Sequence, residues 1–318
     1  MRNYVLRRLL LLIPIIIGVT LVTFFMFRLI PGDAVDLICG IQCTEKEKAD
    51  IRHFYGLDRA WYVQYGEWLL NSAQGDFGTS FLSHLSVSSE LKHRLPVTLE
   101  LTGLTLLLSL LLGIPPGVYS AVRPGTPLDW IMRFTSILWL SIPSFYLGIL
   151  IIVFGLRWFG WVPPQFSTGA FVSPFQNPWV NFQQFFLPSL VLAVGGAAVI
   201  MRVTRSSMLE VLRNDYVRTA WAKGLRERAV VWRHALRNAW IPVTTLLGLQ
   251  VGGLLEGAVI MESLFNLNGL GKYALESIIR RDVFVVSSIA LVFALINVSV
   301  NLSIDLAYAW LDPRIRYT

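Results

Sequence analysis

Few side chains in this sequence of 318 residues could do chemistry, and their spacing limits what that chemistry could be. Gly269-x-Gly271-Lys272 has the outline of a phosphate-binding loop, but that pattern needs a Gly five residues before the Gly-Lys pair and Ser or Thr after it. Asn266 and Tyr273 occupy those places. His53, His84 and His93 share one segment, yet their spacings match no metal-ligand pattern. No His-Glu-x-x-His helix occurs, and no Ser, His and acid set is assignable to one face. The only cysteines, Cys39 and Cys43, form CGIQC. In an oxidising compartment a local disulfide is the favoured reading of that pair, with two free thiols as the alternative. One carboxylate stands apart: Glu256 sits in an apolar run fourteen residues after Pro242, about 21 Å along a helix at 1.5 Å per residue. A charge at that depth must face a wet cavity or a partner, which makes Glu256 a candidate for lining a path, or else a hydrogen-bonded group at a subunit interface.

The elements that must position these groups are mostly apolar. Hydrophobic residues make up 54% of the chain and charged ones 15%, and the mean hydropathy is +0.58. That is too apolar for a soluble domain with an ordinary surface, and the spacing of the apolar runs suits several bilayer spans. A formal charge of +7 could suggest a nucleic-acid partner, but the basic residues cluster in loops between spans, which is a signal of topology and not of nucleic acid. Between Met201 and Trp240, nine Arg or Lys stand against three Asp or Glu, the bias of a segment held on the cytoplasmic side of a bilayer. Within it, Asp215 and Tyr216 open a short helix that runs through Arg218, Thr219, Ala220 and Lys223. Gly224 is placed to end that helix as a left-handed cap. Ala220 and Ala222 are small enough to let a partner groove approach, so the helix reads as a docking element for a soluble protein.

These residues also carry a resemblance. YVRTAWAKGL followed by RHALRNAWIP resembles the cytoplasmic coupling loop of permease subunits of bacterial ABC importers, in the branch that moves dipeptides, oligopeptides, nickel, glutathione and opines. The amino-terminal NYVLRRLLLLIPIIIGVTLVTFFMFRLIPGD, the phrases YGLDRAWYVQYGEWL and GDFGTSF, and the carboxy-terminal LDPRIRY are similar to the same branch, so the likeness covers nearly the whole chain. Where the general pattern has Glu-Ala-Ala before its Gly, this chain has Arg218-Thr219-Ala220 before Gly224. The resemblance implies an all-α type I ABC importer permease fold in a bacterial inner membrane, with no cofactor and no catalysis in this chain. It further implies ATP and Mg in one or two ATPase partners docked at Asp215–Gly224, a second homologous permease chain, and an extracytoplasmic solute-binding protein. Peptides are the expected cargo, with nickel chelates, glutathione or opines as alternatives. A secondary transporter or channel working without ATPases is the rival from another class.

Taken along the chain, the pattern predicts six spans with both termini inside. Residues 1–30 give an amino-terminal segment and the first span, read as retained because no small-residue cleavage site follows. Residues 31–97 form an outer lobe, and 98–318 hold spans two to six, with a coupling loop at 202–240. In the lobe, Thr44 and Glu47 predict a capping box and Gly56 a helix end. A second lobe helix, roughly Arg59 to Ser72, carries Trp61, Tyr62, Tyr65, Trp68 and Leu69 at spacings that make an aromatic face, for interfacial or core packing in preference to cradling a ligand. Gly113, Pro115, Pro116 and Gly117 predict a kink in the second span, and Pro143 a kink in the third. Gly195-Gly196-Ala197-Ala198 predicts close helix packing in the fourth span, as do the glycines at 248, 252, 253 and 257 in the fifth.

Overall fold

The computed structural model describes residues 2–29, 35, 43–54, 56–80, 83–168 and 170–311. In chain order the helices are α1 (Arg2–Leu29), α2 (Glu45–Phe54), α3 (Trp61–Ala73), α4 (Val87–Val122), α5 (Pro127–Ser141), α6 (Ser144–Phe159), α7 (Pro164–Thr168) and α8 (Pro178–Val211). They continue as α9 (Asp215–Ala222), α10 (Leu236–Leu264), α11 (Leu270–Ile279) and α12 (Val283–Leu311). Among the described residues four helical stretches, those containing α4, α8, α10 and α12, are long and apolar enough to cross a membrane. The pair α5 and α6 makes a fifth, bent by 92° at its break. The sixth expected span falls on α1, whose apolar stretch Ile13–Phe25 is shorter. The carboxy-terminal PRIRYT lies outside the described residues.

The chain divides into two compact units. In the first, residues 1–97 with 269–299, the aromatic face of α3 is used for packing. Tyr65 and Thr20 share a hydroxyl–hydroxyl hydrogen bond of 2.8 Å, Phe24 meets Tyr65 edge-on at 5.5 Å, and Phe25 lies 5.0 Å from Trp61. Those rings are therefore committed to α1. The Thr44 backbone N–H donates to Glu47 at 2.7 Å and the Glu47 N–H to the Thr44 hydroxyl at 3.4 Å, closing the expected capping box. These bonds hold the Glu47 carboxyl below its ordinary value. The core of the unit joins Val87 and Leu91 of α4 to Leu270 and Tyr273 of α11 and to Val285 and Ile289 of α12. Arg94 pairs with Glu90 at 2.8 Å and lies 4.4 Å over the Tyr273 ring, so the cation is satisfied twice. Burial pushes the Tyr273 phenol up to about 12.

The second unit holds residues 98–268 and 300–318. Its core joins Ile114, Val118 and Ala121 of α4 to Ile200 and Met208 of α8, and to Val231, Ala235, Ala239 and Val243 on the way into α10. Through Pro115 and Pro116, α4 continues without ending. Gly113 and Gly117 act as contact points: a Cβ on Gly113 would stand 2.8 Å from the Ala197 carbonyl, and one on Gly117 would stand 2.7 Å from that of Met201. Two glycines one turn apart thus let α4 and α8 touch backbone to backbone, so that this stretch is packed against protein as expected. At Pro143 the third span is interrupted, as expected: it stops at Ser141 and restarts at Ser144 with a 92° bend. Pro242 lies inside α10, which starts at Leu236, within the expected coupling loop of 202–240, and is preceded by a π-helical segment, Val230–Ala235.

Of the glycines expected to pack, Gly196 sits against the Ser109 hydroxyl, and Gly248 and Gly257 meet Asn301 and Leu192, whereas Gly195 and Gly253 face open space. Ser109 donates to the Ala193 carbonyl at 3.1 Å and the Gln250 amide to the Gly196 carbonyl at 3.1 Å. The small residues of α8 are therefore also where polar side chains reach its backbone.

Candidate coupling and path residues

The sequence places the docking element at Asp215–Gly224, and the structure gives it a definite inside and outside. Asn214, in extended backbone, precedes α9, and Gly224 ends it at φ +73°, a region that favours glycine. Val217 and Ala220 are buried with Val230, against Val211 and Leu212. Tyr216, Arg218, Thr219, Trp221, Ala222 and Lys223 are exposed. This corrects one expectation: Ala220 is small because its own chain packs on it, not because a partner must approach it. Arg218 makes a loose exposed pair with Asp215 at 3.8 Å, and the Thr219 hydroxyl donates to the Asp215 carbonyl at 2.8 Å. The Asn238 amide donates to the Tyr216 hydroxyl at 2.6 Å, so the short helix is tied to the first turn of α10.

Along α10, Pro242, Thr245, Leu249, Gly253, Glu256 and Ile260 are all exposed. Their spacings of three and four residues place them on one face of the helix. On the opposite face Val243, Gly248, Val251, Leu255, Ala258 and Glu262 are buried. Glu256 thus lies in the middle of an uncovered stripe that also exposes Leu249 by 75%. A buried carboxylate does exist on α10, but it is Glu262, which is fully buried and accepts a 2.6 Å hydrogen bond from Thr98.

Sequence reasoning missed a second acidic centre. Asp129, in the first turn of α5, is fully buried and accepts hydrogen bonds from Ser120 of α4, from the Gly125 N–H at 3.0 Å, and from Arg205 of α8 at 3.1 and 3.3 Å. Arg205 also donates to Ser120 at 2.8 Å. One carboxylate therefore fastens three helices and the turn between two of them. The available signal was Thr126 three residues before Asp129, the outline of a cap, and Thr126 does accept from the Asp129 N–H at 3.3 Å. Of the expected cysteine pair, Cys39 lies outside the described residues, and Cys43 is not a free thiol. Among the described residues no group of three His, Cys, Asp or Glu could hold a metal ion.

With this geometry in hand, the likeness to known proteins is specific. Residues 1–102 and 113–317 match, respectively, the amino-terminal and main regions of the family described as binding-protein-dependent transport system inner membrane component. The chain is 39% identical to the dipeptide transport system permease protein DppB of Alkalihalophilus pseudofirmus and 39% identical to the oligopeptide transport system permease protein AppB of Bacillus subtilis, with all of each chain covered. It is also 39% identical over both full lengths to the glutathione transport system permease protein GsiC of Salmonella choleraesuis. Among solved structures, the inward-facing MetNI methionine ABC transporter aligns with a TM-score of 0.53 at 18% identity, covering 70% of this chain and 96% of that one, a likeness of fold. The chain belongs to the family of binding-protein-dependent transport system inner membrane components, the permease subunits of ABC importers.

Proposed function

We infer that the chain is the permease subunit of an ATP-driven importer of di- and oligopeptides, seated in a bacterial inner membrane with both termini in the cytoplasm. Energy enters through separate ATPase subunits, which hold the ATP and Mg and dock on α9. A second homologous permease chain completes the path, and an extracytoplasmic binding protein delivers the solute. The observation that carries this reading is the two-sidedness of α9. Its apolar side is closed by the chain itself, while Tyr216 and Trp221, at 42% and 44% exposure, stand beside Arg218 and Lys223 on the open side. Aromatic rings flanked by cations are the composition of a protein-binding face. The uncovered stripe of α10 supports placing Glu256 on the path or against the second permease chain, because a charge facing lipid near the middle of a span costs about 2.5 to 3.5 kcal/mol. Glutathione is the second reading for the cargo, favoured by the equal identity to a glutathione permease.

The test is Trp221→Glu, an exposed position whose change leaves the chain's own core intact. Purified in mild detergent, the wild-type chain brings an ATPase partner with it, and the variant inserts normally but loses that partner and import. Normal import by the variant, with ATPase attached and stimulated by solute, would sink the coupling role of α9.

A further inference from the structure

A pocket of about 850 Å³ opens between the end of α4, the start of α5 and the chain leading into α10. Its wall is apolar, built by Pro115, Pro116 and Val118 of α4, Met132 of α5, and Val231. Its rim is basic: Arg123, Arg226 and Arg228 line it, against the single acid Glu227. Among the described residues none of these three guanidinium groups has a hydrogen-bond or ion-pair partner. Tyr119 and Trp232, exposed by 36% and 48%, also stand in the lining. Amphipathic rings at a rim mark the headgroup level of a bilayer.

We propose that this pocket binds the headgroup and upper acyl region of an anionic phospholipid of the cytoplasmic leaflet, phosphatidylglycerol being the probe that represents the class. An apolar wall under free cations fits an amphiphile whose phosphate sits above its chains, and basic pockets between spanning helices on the cytoplasmic side are where such headgroups bind. The volume lies within the range of about 300 to 1,000 Å³ typical of small-ligand sites. The rim is held in place. Arg123 begins the turn that Gly125 completes at φ +79°, and the Gly125 N–H is fastened to Asp129, which Arg205 holds in turn. On the other side, Arg226 accepts backbone bonds from Ala229 and Val230, fixing the turn that carries Arg228. The lipid would thus bridge the α4–α5 turn and the segment just after the docking helix. The proposal rests on the reading of that segment as cytoplasmic.

The experiment is native mass spectrometry of the purified permease complex in a neutral detergent, titrated with phosphatidylglycerol or with phosphatidylcholine. Saturable retention of phosphatidylglycerol over phosphatidylcholine is expected. Each guanidinium replaced in Arg123→Ala, Arg226→Ala and Arg228→Ala should weaken retention about fivefold, on the order of a hundredfold for all three, while the triple Lys variant keeps most of it. Equal retention of the two lipids, or undiminished retention by the triple Ala variant, would overturn the proposal. So would full displacement by inorganic phosphate, which would mark a site for a soluble anion. Loss of the ATPase subunits from the triple Ala variant with lipid unchanged would instead make the arginines a protein-docking surface. Labelling of Arg226→Cys by an impermeant maleimide from outside intact cells would defeat the cytoplasmic placement itself, independently of the lipid count.

Discussion

Asp129→Asn is the sharpest perturbation of the second unit, because it removes one charge and changes almost no volume. The carboxylate is fully buried and takes hydrogen bonds from Ser120, Gly125 and Arg205. The Arg205 side chain is 22% exposed, so its cation keeps some contact with water when the partner is neutralised. Removing one member of a buried pair costs about 3 to 5 kcal/mol. The partial exposure of Arg205 places this case near the lower limit, about 3 kcal/mol, and the amide can still accept from Arg205 but gains an N–H₂ facing the other donors. The assay is unfolding of the purified chain in mixed micelles, following loss of helix as the denaturing detergent is raised. Arg205→Met completes a double-mutant cycle. The two single variants should each lose about 3 kcal/mol, and the double variant much less than their sum, because the second change removes a charge the first left stranded. A loss below about 1 kcal/mol for Asp129→Asn, or strict additivity in the cycle, would refute the clasp.

Three further outcomes are expected. Gly117→Val forces a side chain against the Met201 carbonyl and should destabilise the α4–α8 contact by about 1 to 3 kcal/mol, whereas Gly103→Val, with open space around it, should not; equal effects in the same unfolding assay would remove the contact. Glu256→Gln should lower solute import with the assembly intact, and wild-type import by Glu256→Leu would show the carboxylate to be expendable. The Thr44–Glu47 cap has a sign fixed by its bonds: the folded carboxyl is held below 4.5, so its contribution is present above that value and is lost as pH falls through the lowered one. Amide protection in α2, relative to the intrinsic exchange rate at each pH, should therefore fall on acidification in the wild-type chain and be low and less pH-dependent in Thr44→Ala, and a flat wild-type protection profile would contradict this.

Features set by neighbours in sequence were legible from sequence. Gly224 and Gly56 have positive φ, as helix-ending glycines should, and Thr44 and Glu47 meet across one turn. The aromatic spacing of α3 pointed to packing, and α3 packs. What escaped was set by contacts distant in the chain. Asp129 and Arg205 are 76 residues apart, and no local pattern pairs them. Gly113 and Gly117, with Pro115 and Pro116 between them, pointed to a kink packed against protein; that the neighbour is α8 is visible only in the fold. Ala220 followed the same logic in reverse. Its size was read correctly, but periodicity over an eight-residue helix does not say which side its own chain will cover.

The π-helical segment Val230–Ala235 bears on how this chain could be retuned. In an α-helix each residue advances the direction of the side chains by about 100°, and a π turn holds one more residue than an α turn. The segment therefore sets the phase between the chain leaving α9 and the stripe that ends at Ile260, while the Tyr216–Asn238 hydrogen bond ties α9 to α10 beyond it. Removing one residue there would let the helix rewind as plain α and swing the loop by about a quarter-turn relative to Glu256. A single deletion there would thus set the covalent link into α10 against the Tyr216–Asn238 hydrogen bond, so that one of the two must give without any residue of the stripe being replaced.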